Sequence, residues 1–118
     1  MGEAMQPSYA SGVSETPLIG ETIGANLERT AERFPDADAL VARHQEVRMS
    51  WKELNAEIDR LALGLIARGL ERGDRVGIWS PNRVEWVLLQ FATAKAGVIL
   101  VNLNPAYRTT ELEYALTQ

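Results

Sequence analysis

The chain has 118 residues, a formal net charge of −4 at neutral pH, 46% hydrophobic residues and 24% charged residues. This composition is typical of one soluble globular domain. The acidic balance argues against nucleic acid as a partner, because nucleic-acid binding needs clustered Lys and Arg side chains. A sequence with no cysteine has neither a disulfide framework nor a thiolate zinc site.

The first residues contain neither the basic region nor the apolar run of a secretory signal peptide. No apolar stretch approaches the roughly 20 residues of a membrane span. We therefore expect a cytoplasmic protein without a transmembrane segment. Residues 1–21 are rich in Pro, Ser and Gly and poor in large apolar groups, which predicts a mobile N-terminal arm. Residues 22–118 are predicted to form an α/β domain.

A helix and a hairpin are predicted at the start of this domain. Thr22 is positioned to cap a helix that Pro35 ends. The apolar residues of that helix share one face: Ile23, Leu27, Ala31 and Phe34. Ala39–Ala42 and Val47–Met49 then have the length and composition of two paired strands. The only histidine, His44, lies in the polar connection between them.

A second, longer helix is predicted after the hairpin. Ser50 and Glu53 have the spacing of a capping box, in which each side chain bonds the other residue's backbone N–H. Gly69 is suited to the left-handed conformation that commonly ends a helix. Between these signals the apolar residues form one continuous stripe: Trp51, Leu54, Ile58, Leu61 and Leu65.

A parallel strand–helix–strand unit is predicted next. Val76–Trp79 and Val98–Val101 are apolar runs of strand length. The helix between them is predicted to begin with Asn82 as N-cap and Glu85 three residues later. Residues 84–96 are apolar around most of the helix, which predicts burial between layers. Such a unit forms a right-handed crossover between parallel strands.

Two further expectations concern the last helix and the tryptophans. Thr110, with Glu113 three residues later, predicts the start of one more helix. The tryptophans Trp51, Trp79 and Trp86 all fall on predicted buried faces, so we expect core packing rather than ligand stacking.

Residue types that carry chemistry are sparse. The loop Ser80-Pro81-Asn82 has no glycine and lacks one backbone N–H, so it is neither a dinucleotide-binding nor a Walker loop. His44 has no Ser or Asp placed to complete a triad and is expected in a surface turn. The acids Glu53, Glu57 and Asp59 have no metal-ligand spacing and are expected to be solvated. The residues thus predict no catalytic, cofactor-binding or metal-binding position in this chain.

Four segments, in this order, resemble the AMP-forming acyl-CoA synthetases of the adenylate-forming enzyme superfamily. Residues 49–54, MSWKEL, resemble the pattern (L/M)(T/S)(Y/W)xEL, and residues 73–76 read GDRV. Residues 94–97, AKAG, precede the apolar strand, and residues 104–112 match NPxYxxxEL. In place of the fourth segment, amino-acid-activating domains more often have the pattern PxDPxYPxxR. The fourth segment therefore resembles the fatty-acid branch more closely. The resemblance extends over residues 22–118.

This resemblance implies an N-terminal part of the family's large domain, truncated at its C-terminal end, with a parallel βαβ unit, flanking helices and a short hairpin. It implies an intact ligase that uses ATP, Mg²⁺ and CoA to convert a fatty acid or other carboxylic acid into an acyl-adenylate and then an acyl-CoA. The family's ATP-binding and catalytic motifs do not occur in this chain. We therefore expect an inactive fragment that binds no cofactor by itself.

Two other hypotheses remain open from the sequence. The chain could be a stand-alone, non-catalytic interaction module with the same partial fold, or an unrelated small α/β domain. Because parallel sheets normally have both faces covered, the apolar helix over residues 84–96 also predicts an exposed apolar surface. Self-association or docking on a synthetase fragment would cover that surface.

Overall fold

The structure is a computed structural model that describes residues 11–118. Residues 1–10 of the predicted arm lie outside the described residues, and residues 11–21 are exposed and form no helix or strand. A short 3₁₀ turn, Arg43–Gln45, connects the first two strands. The elements in chain order are α1 (Ile23–Arg33), β1 (Asp38–Ala42), β2 (Val47–Ser50), α2 (Trp51–Ala67), β3 (Arg75–Trp79), α3 (Val84–Ala96), β4 (Ile99–Leu103) and α4 (Thr109–Thr117).

The predicted α/β class is confirmed, with two separate two-stranded sheets. β1 and β2 pair antiparallel, as the predicted hairpin requires. β3 and β4 pair in parallel, with Arg75 opposite Ile99 and Trp79 opposite Leu103. Among the described residues, no helix combines the length and apolar character needed to cross a membrane.

Two predicted helix starts are confirmed by their capping hydrogen bonds. Thr22 Oγ1 accepts from the backbone N–H of Ala25 at 3.1 Å. Ser50 Oγ accepts from the N–H of Glu53 at 3.3 Å, and Glu53 Oε2 accepts from the N–H of Ser50 at 2.8 Å. The Ser50 backbone N–H and, second, the Ser50 hydroxyl donate hydrogen bonds to Glu53 Oε2, and these two bonds hold the pKa of the Glu53 carboxyl below its usual value. Local sequence alone determines both helix starts.

Two other predicted helix starts are wrong. The N-cap of α3 is Arg83 rather than Asn82, and the helix begins at Val84. The N-cap of α4 is Arg108, whose backbone N–H donates to the side chain of Glu111, so the helix begins before Thr110. In α3 the side chain of Gln45, in the β1–β2 hairpin, accepts the first helical N–H, that of Val84. Capping patterns in the sequence next to the helix do not reveal so distant a partner.

The core lies where α2 packs against α1 and α3. The buried residues of this cluster come from these three helices: Leu27, Leu54, Ile58, Ala62 and Ala92. The hairpin covers one side of the cluster through Leu40 and Met49, and Trp51 packs there as well. The predicted stripe of α2 is thereby confirmed as the face that organises the core.

The predicted burial of the β3–β4 sheet is only partly correct. Ile78 and Leu103 are buried, but Trp79 is 49% exposed and Ile99 is 47% exposed. Trp79 therefore does not pack in the core as expected. A sheet of two strands is too narrow for one helix on each face to enclose it, so most of its apolar side chains remain partly accessible.

Ile58→Ala should lower the free energy of unfolding by about 2–5 kcal/mol, since Ile58 is completely buried and truncation leaves a cavity. Ile66→Ala on the same helix is a control of identical chemistry, because Ile66 is 52% exposed. Chemical denaturation of both variants measures the difference. Equal losses at the two positions would contradict the assignment of the core face.

Candidate functional site

The Lys95 network joins the three core helices through one ammonium group. Lys95 Nζ, on α3, donates to Asp59 Oδ1 at 2.6 Å, to Asn55 Oδ1 at 2.9 Å and to Glu28 Oε1 at 2.9 Å. Asn55 and Asp59 lie on α2, and Glu28 lies on α1. Each of the three N–H groups of the ammonium has its own acceptor, so Lys95 stays protonated although its side chain is buried.

The electrostatics of this network favour the charged form of Lys95. Its side chain is only 9% exposed, and this burial alone would lower the pKa of the ammonium. The hydrogen bonds from Lys95 to Asp59 and Glu28 outweigh the desolvation and raise the pKa above its ordinary value. Asp59, which the sequence analysis treated as solvated, is thus also one of the acceptors that hold Lys95 in place.

The aliphatic part of Lys95 explains a glycine in α1. A Cβ atom added at Gly24 would lie 3.0 Å from Lys95 Cγ, which is closer than carbon atoms normally approach. Gly24 is buried under this stem. The absence of a side chain at Gly24 therefore lets α1 approach α3 closely, with the ammonium directed to the acceptors on α1 and α2.

Lys95→Met should lower the free energy of unfolding by about 2 kcal/mol, the range for hydrogen bonds to charged groups, since it keeps most of the stem but removes the donors. Lys52→Met is the control, because Lys52 lies on the exposed face of α2. Urea denaturation of the two variants measures the effect. A loss for Lys95→Met no greater than for Lys52→Met would show that the network is not stabilising.

The Gln45 clamp, formed by Gln45 with Val84 and Glu85, connects the hairpin to the start of α3. Gln45 Oε1 accepts from the backbone N–H of Val84 at 2.8 Å, and Gln45 Nε2 donates to Glu85 Oε2 at 3.0 Å. The hydrogen bond from Gln45, followed by those from the Glu85 backbone and Arg83, lowers the pKa of Glu85 to about 2. Glu85 is therefore an anion at neutral pH, beside the start of α3.

The residues around this helix start do not fit a nucleotide phosphate. A helix N-terminus binds anions through free backbone N–H groups, but the N–H of Val84 already donates to Gln45. Pro81 has no N–H, and the carboxylate of Glu85 repels a second anion.

Gln45→Ala should raise the pKa of Glu85 from about 2 toward its ordinary value of 4.5, because the largest favourable hydrogen bond to the carboxylate is lost. A depressed pKa stabilises the fold above the unfolded pKa, and this stabilisation disappears as the pH falls from about 4.5 to about 2. The variant should therefore show less acid sensitivity in that interval. NMR titration of the Glu85 side chain measures the shift. Gln90→Ala, on the exposed side of α3, should leave the pKa unchanged, and an equal shift there would contradict the assignment.

The carboxyl ends of β3 and β4 border an open cavity of about 610 Å³. This is the edge at which parallel α/β sheets commonly bind ligands. Its lining combines two aromatic residues, one cation and small residues: Trp79, Pro105, Ala106, Tyr107, Arg108 and Thr109. It contains no carboxylate or histidine, so it offers no general base and no metal ligand set.

Other candidate chemistry from the sequence stays apart in space. His44 is exposed in the turn of the hairpin, as expected. Within residues 11–118, no group of three His, Asp or Glu side chains is placed to hold a metal ion. Sequence analysis missed Lys95 and Gln45 as connecting residues. Lys95 had one detectable signal, since a lone cation inside an otherwise apolar helix needs an internal partner.

The fold and sequence define a segment of an adenylate-forming enzyme. Residues 27–118 match the AMP-binding enzyme family, and the chain belongs to that family. It is 50% identical over 109 residues to the mitochondrial medium-chain acyl-CoA ligase ACSF2 of Mus musculus, covering 92% of this chain. It also superposes on the Mycobacterium tuberculosis fatty acyl CoA synthetase with a TM-score of 0.77, at 35% identity over 80% of this chain.

The chain spans only a small part of these proteins. It covers 18% of the mouse ligase and 19% of the M. tuberculosis synthetase. It covers 24% of the solved N-terminal domain of FACL13 from M. tuberculosis, with a TM-score of 0.78 and 34% identity. Most of the polypeptide that surrounds this fold in its relatives therefore lies outside the matched region.

Proposed function

We propose that this chain is the N-terminal portion of an ATP-dependent, AMP-forming fatty-acid–CoA ligase and that it serves as a structural part of that enzyme. The proposal is supported chiefly by 50% identity to an acyl-CoA ligase over 92% of the chain. In the intact enzyme, a carboxylic acid attacks the α-phosphate of ATP to give an acyl-adenylate and pyrophosphate. The thiol of CoA then displaces AMP and forms the acyl-CoA.

The role of this portion is to hold secondary structure in place rather than to contact reacting atoms. The Lys95 network fixes the three helices relative to one another, and the Gln45 clamp fixes the start of α3 on the hairpin. Neither the occupied N-terminus of α3 nor the cavity at the strand ends has the groups for phosphoryl chemistry. We accordingly expect the isolated 118-residue chain to be inactive, without ATP, Mg²⁺ or CoA as cofactors of its own.

The alternative function, a stand-alone interaction module, is favoured by one observation. An apolar groove lies between α2, α3 and β3, with a volume of about 560 Å³. An accessible apolar surface of this kind suits either self-association or docking to a ligase fragment. The cytoplasmic location stays a prediction, since the name of the mouse relative assigns that protein to mitochondria.

A chimera tests the proposed function. Residues of the mouse ligase that match this chain over 109 positions are replaced by the corresponding residues of this chain. Because the segment is expected to act as a scaffold, the chimera should release pyrophosphate with medium-chain fatty acids and CoA at a rate within about tenfold of the mouse enzyme. The isolated chain should release none above background.

Thermal denaturation controls for folding of the chimera. A chimera that unfolds cooperatively but has lost activity by several orders of magnitude would contradict the proposed function. Pyrophosphate release by the isolated chain would contradict the expectation that it is inactive. An active chimera together with an inactive isolated chain is the result expected for a structural part of the ligase.

A further inference from the structure

The two ends of α1 are held differently. After the helix, the carbonyls of Pro35 and Ala37 accept from the backbone N–H groups of Lys52 and Trp51, both at 3.1 Å. These two hydrogen bonds fix the segment after α1 on the start of α2. Before the helix, residues 11–21 are exposed and form no helix or strand. α1 is therefore anchored at its C-terminal end, while its N-terminal end continues into an exposed segment.

Little apolar surface holds α1 between these ends. Its buried residues are Gly24, Leu27 and Ala31, so Leu27 is the one large apolar side chain that the helix places in the core. Among residues 11–118, the hydrogen bond from Lys95 Nζ to Glu28 Oε1 is the only one that joins α1 to α2 or α3. The attachment of α1 therefore depends strongly on this one polar contact.

α1 does not persist as a helix once it leaves this surface. Isolated helices shorter than about 12–15 residues are marginal in water, and α1 has 11 residues. Gly24 lowers the helix propensity of the segment further. Separation of α1 therefore means local unfolding of residues 23–33, and proteins do open in units of this size. α2, by contrast, has 17 residues and buries Leu54, Ile58 and Ala62.

α1 covers the side chain of Lys95. A Cβ atom at Gly24 would lie 3.0 Å from Lys95 Cγ, so the backbone of α1 lies directly over the lysine stem. Of the three acceptors of the ammonium, Glu28 belongs to α1, whereas Asn55 and Asp59 belong to α2. Opening of α1 would uncover the ammonium and remove one acceptor, but the other two would stay with it.

We propose that α1 is a hinged cover over Lys95, which opens by local unfolding while α2, α3 and both sheets stay folded. The hydrogen bond between Glu28 and Lys95 sets how often the cover opens. The hinge is the segment 34–37, whose carbonyls remain bonded to the start of α2. The two acceptors on α2 keep the ammonium paired in the open state, so opening leaves no unpaired charge inside the fold. This inference does not depend on the proposed function.

Amide hydrogen exchange of the 118-residue chain tests the cover. Protection factors over residues 27–33 of α1 should be at least about tenfold lower than those over residues 54–62 of α2, as for a local opening. Equal protection in the two segments would show that α1 opens only when the whole chain unfolds, which would overturn the proposal.

Two glutamate variants test the role of the ion pair. Glu28→Ala should lower the protection of residues 27–33 by about threefold to tenfold, since it removes the acceptor of a partly buried ammonium. Protection of residues 54–62 should not change. Glu32→Ala is the matched control, because Glu32 is an exposed carboxylate one turn later on α1. Equal effects of the two variants on α1, or an equal loss in α2, would contradict the assigned role of Glu28.

Two glycine variants separate closure of the cover from helix propensity. Gly24→Ala favours the helical state of α1 by itself, but its Cβ meets the Lys95 stem, so it should lower the protection of residues 27–33 at least about threefold. Gly64→Ala is the control in α2, where an added Cβ would meet nothing within 4 Å, and it should leave α1 unchanged. Greater protection of α1 in Gly24→Ala would show that the helix is not closed against Lys95.

Acetylation with an N-hydroxysuccinimide ester reports the uncovering of Lys95 directly. Lys52 and Lys95 are the only lysines of the chain, and Lys52 is exposed, so Lys52 serves as an internal reference. Glu28→Ala should speed the modification of Lys95 relative to Lys52 by the same factor by which it lowers the protection of α1. An unchanged ratio, measured by peptide mass spectrometry, would show that opening of α1 does not uncover the ammonium and would overturn the proposal.

Discussion

The ammonium group of Lys95 is the contact on which the arrangement of the three helices depends. It enters the space between α1, α2 and α3 and donates to one acceptor on α1 and two on α2. Burying a charge is costly unless it is fully hydrogen-bonded, and here three acceptors are present. Because the carboxylates are about half exposed, they keep part of their hydration while neutralising the lysine. The network therefore specifies the relative positions of the helices, in addition to the apolar packing around Ile58.

The Gln45 clamp extends this organisation to the βαβ unit. The hairpin forms from local sequence, but its turn residue Gln45 reaches Val84, 39 positions later in the chain. One side chain thereby caps a helix and holds the carboxylate of Glu85. The same hydrogen bond makes the helix start a poor anion site, because its first N–H is already used. In this part of the fold, structural support and phosphate binding compete for the same backbone group.

Membership of the AMP-binding enzyme family accounts for the exposed surface of the β3–β4 sheet. A parallel sheet normally carries helices on both faces and has several strands. Here the sheet has two strands, and Trp79 and Ile99 are about half exposed. Relatives contain the same segment within a chain about five times as long. The half-covered strands and the apolar groove thus belong to a segment that its relatives carry within a longer chain.

Sequence alone determined the elements whose signals are local. The capping box of Ser50 and Glu53, the period of the α2 stripe and the left-handed Gly69 after α2 depend on residues within one or two turns, so the pattern specifies the structure directly. The four family motifs likewise identified the family.

Tertiary structure alone decided which charged residues are connected and which apolar ones stay accessible. Asn82 is not the predicted cap, because Gln45 on another element accepts the first N–H of α3. Trp79 is half exposed, because the burial of a strand depends on neighbouring elements that its own sequence does not encode.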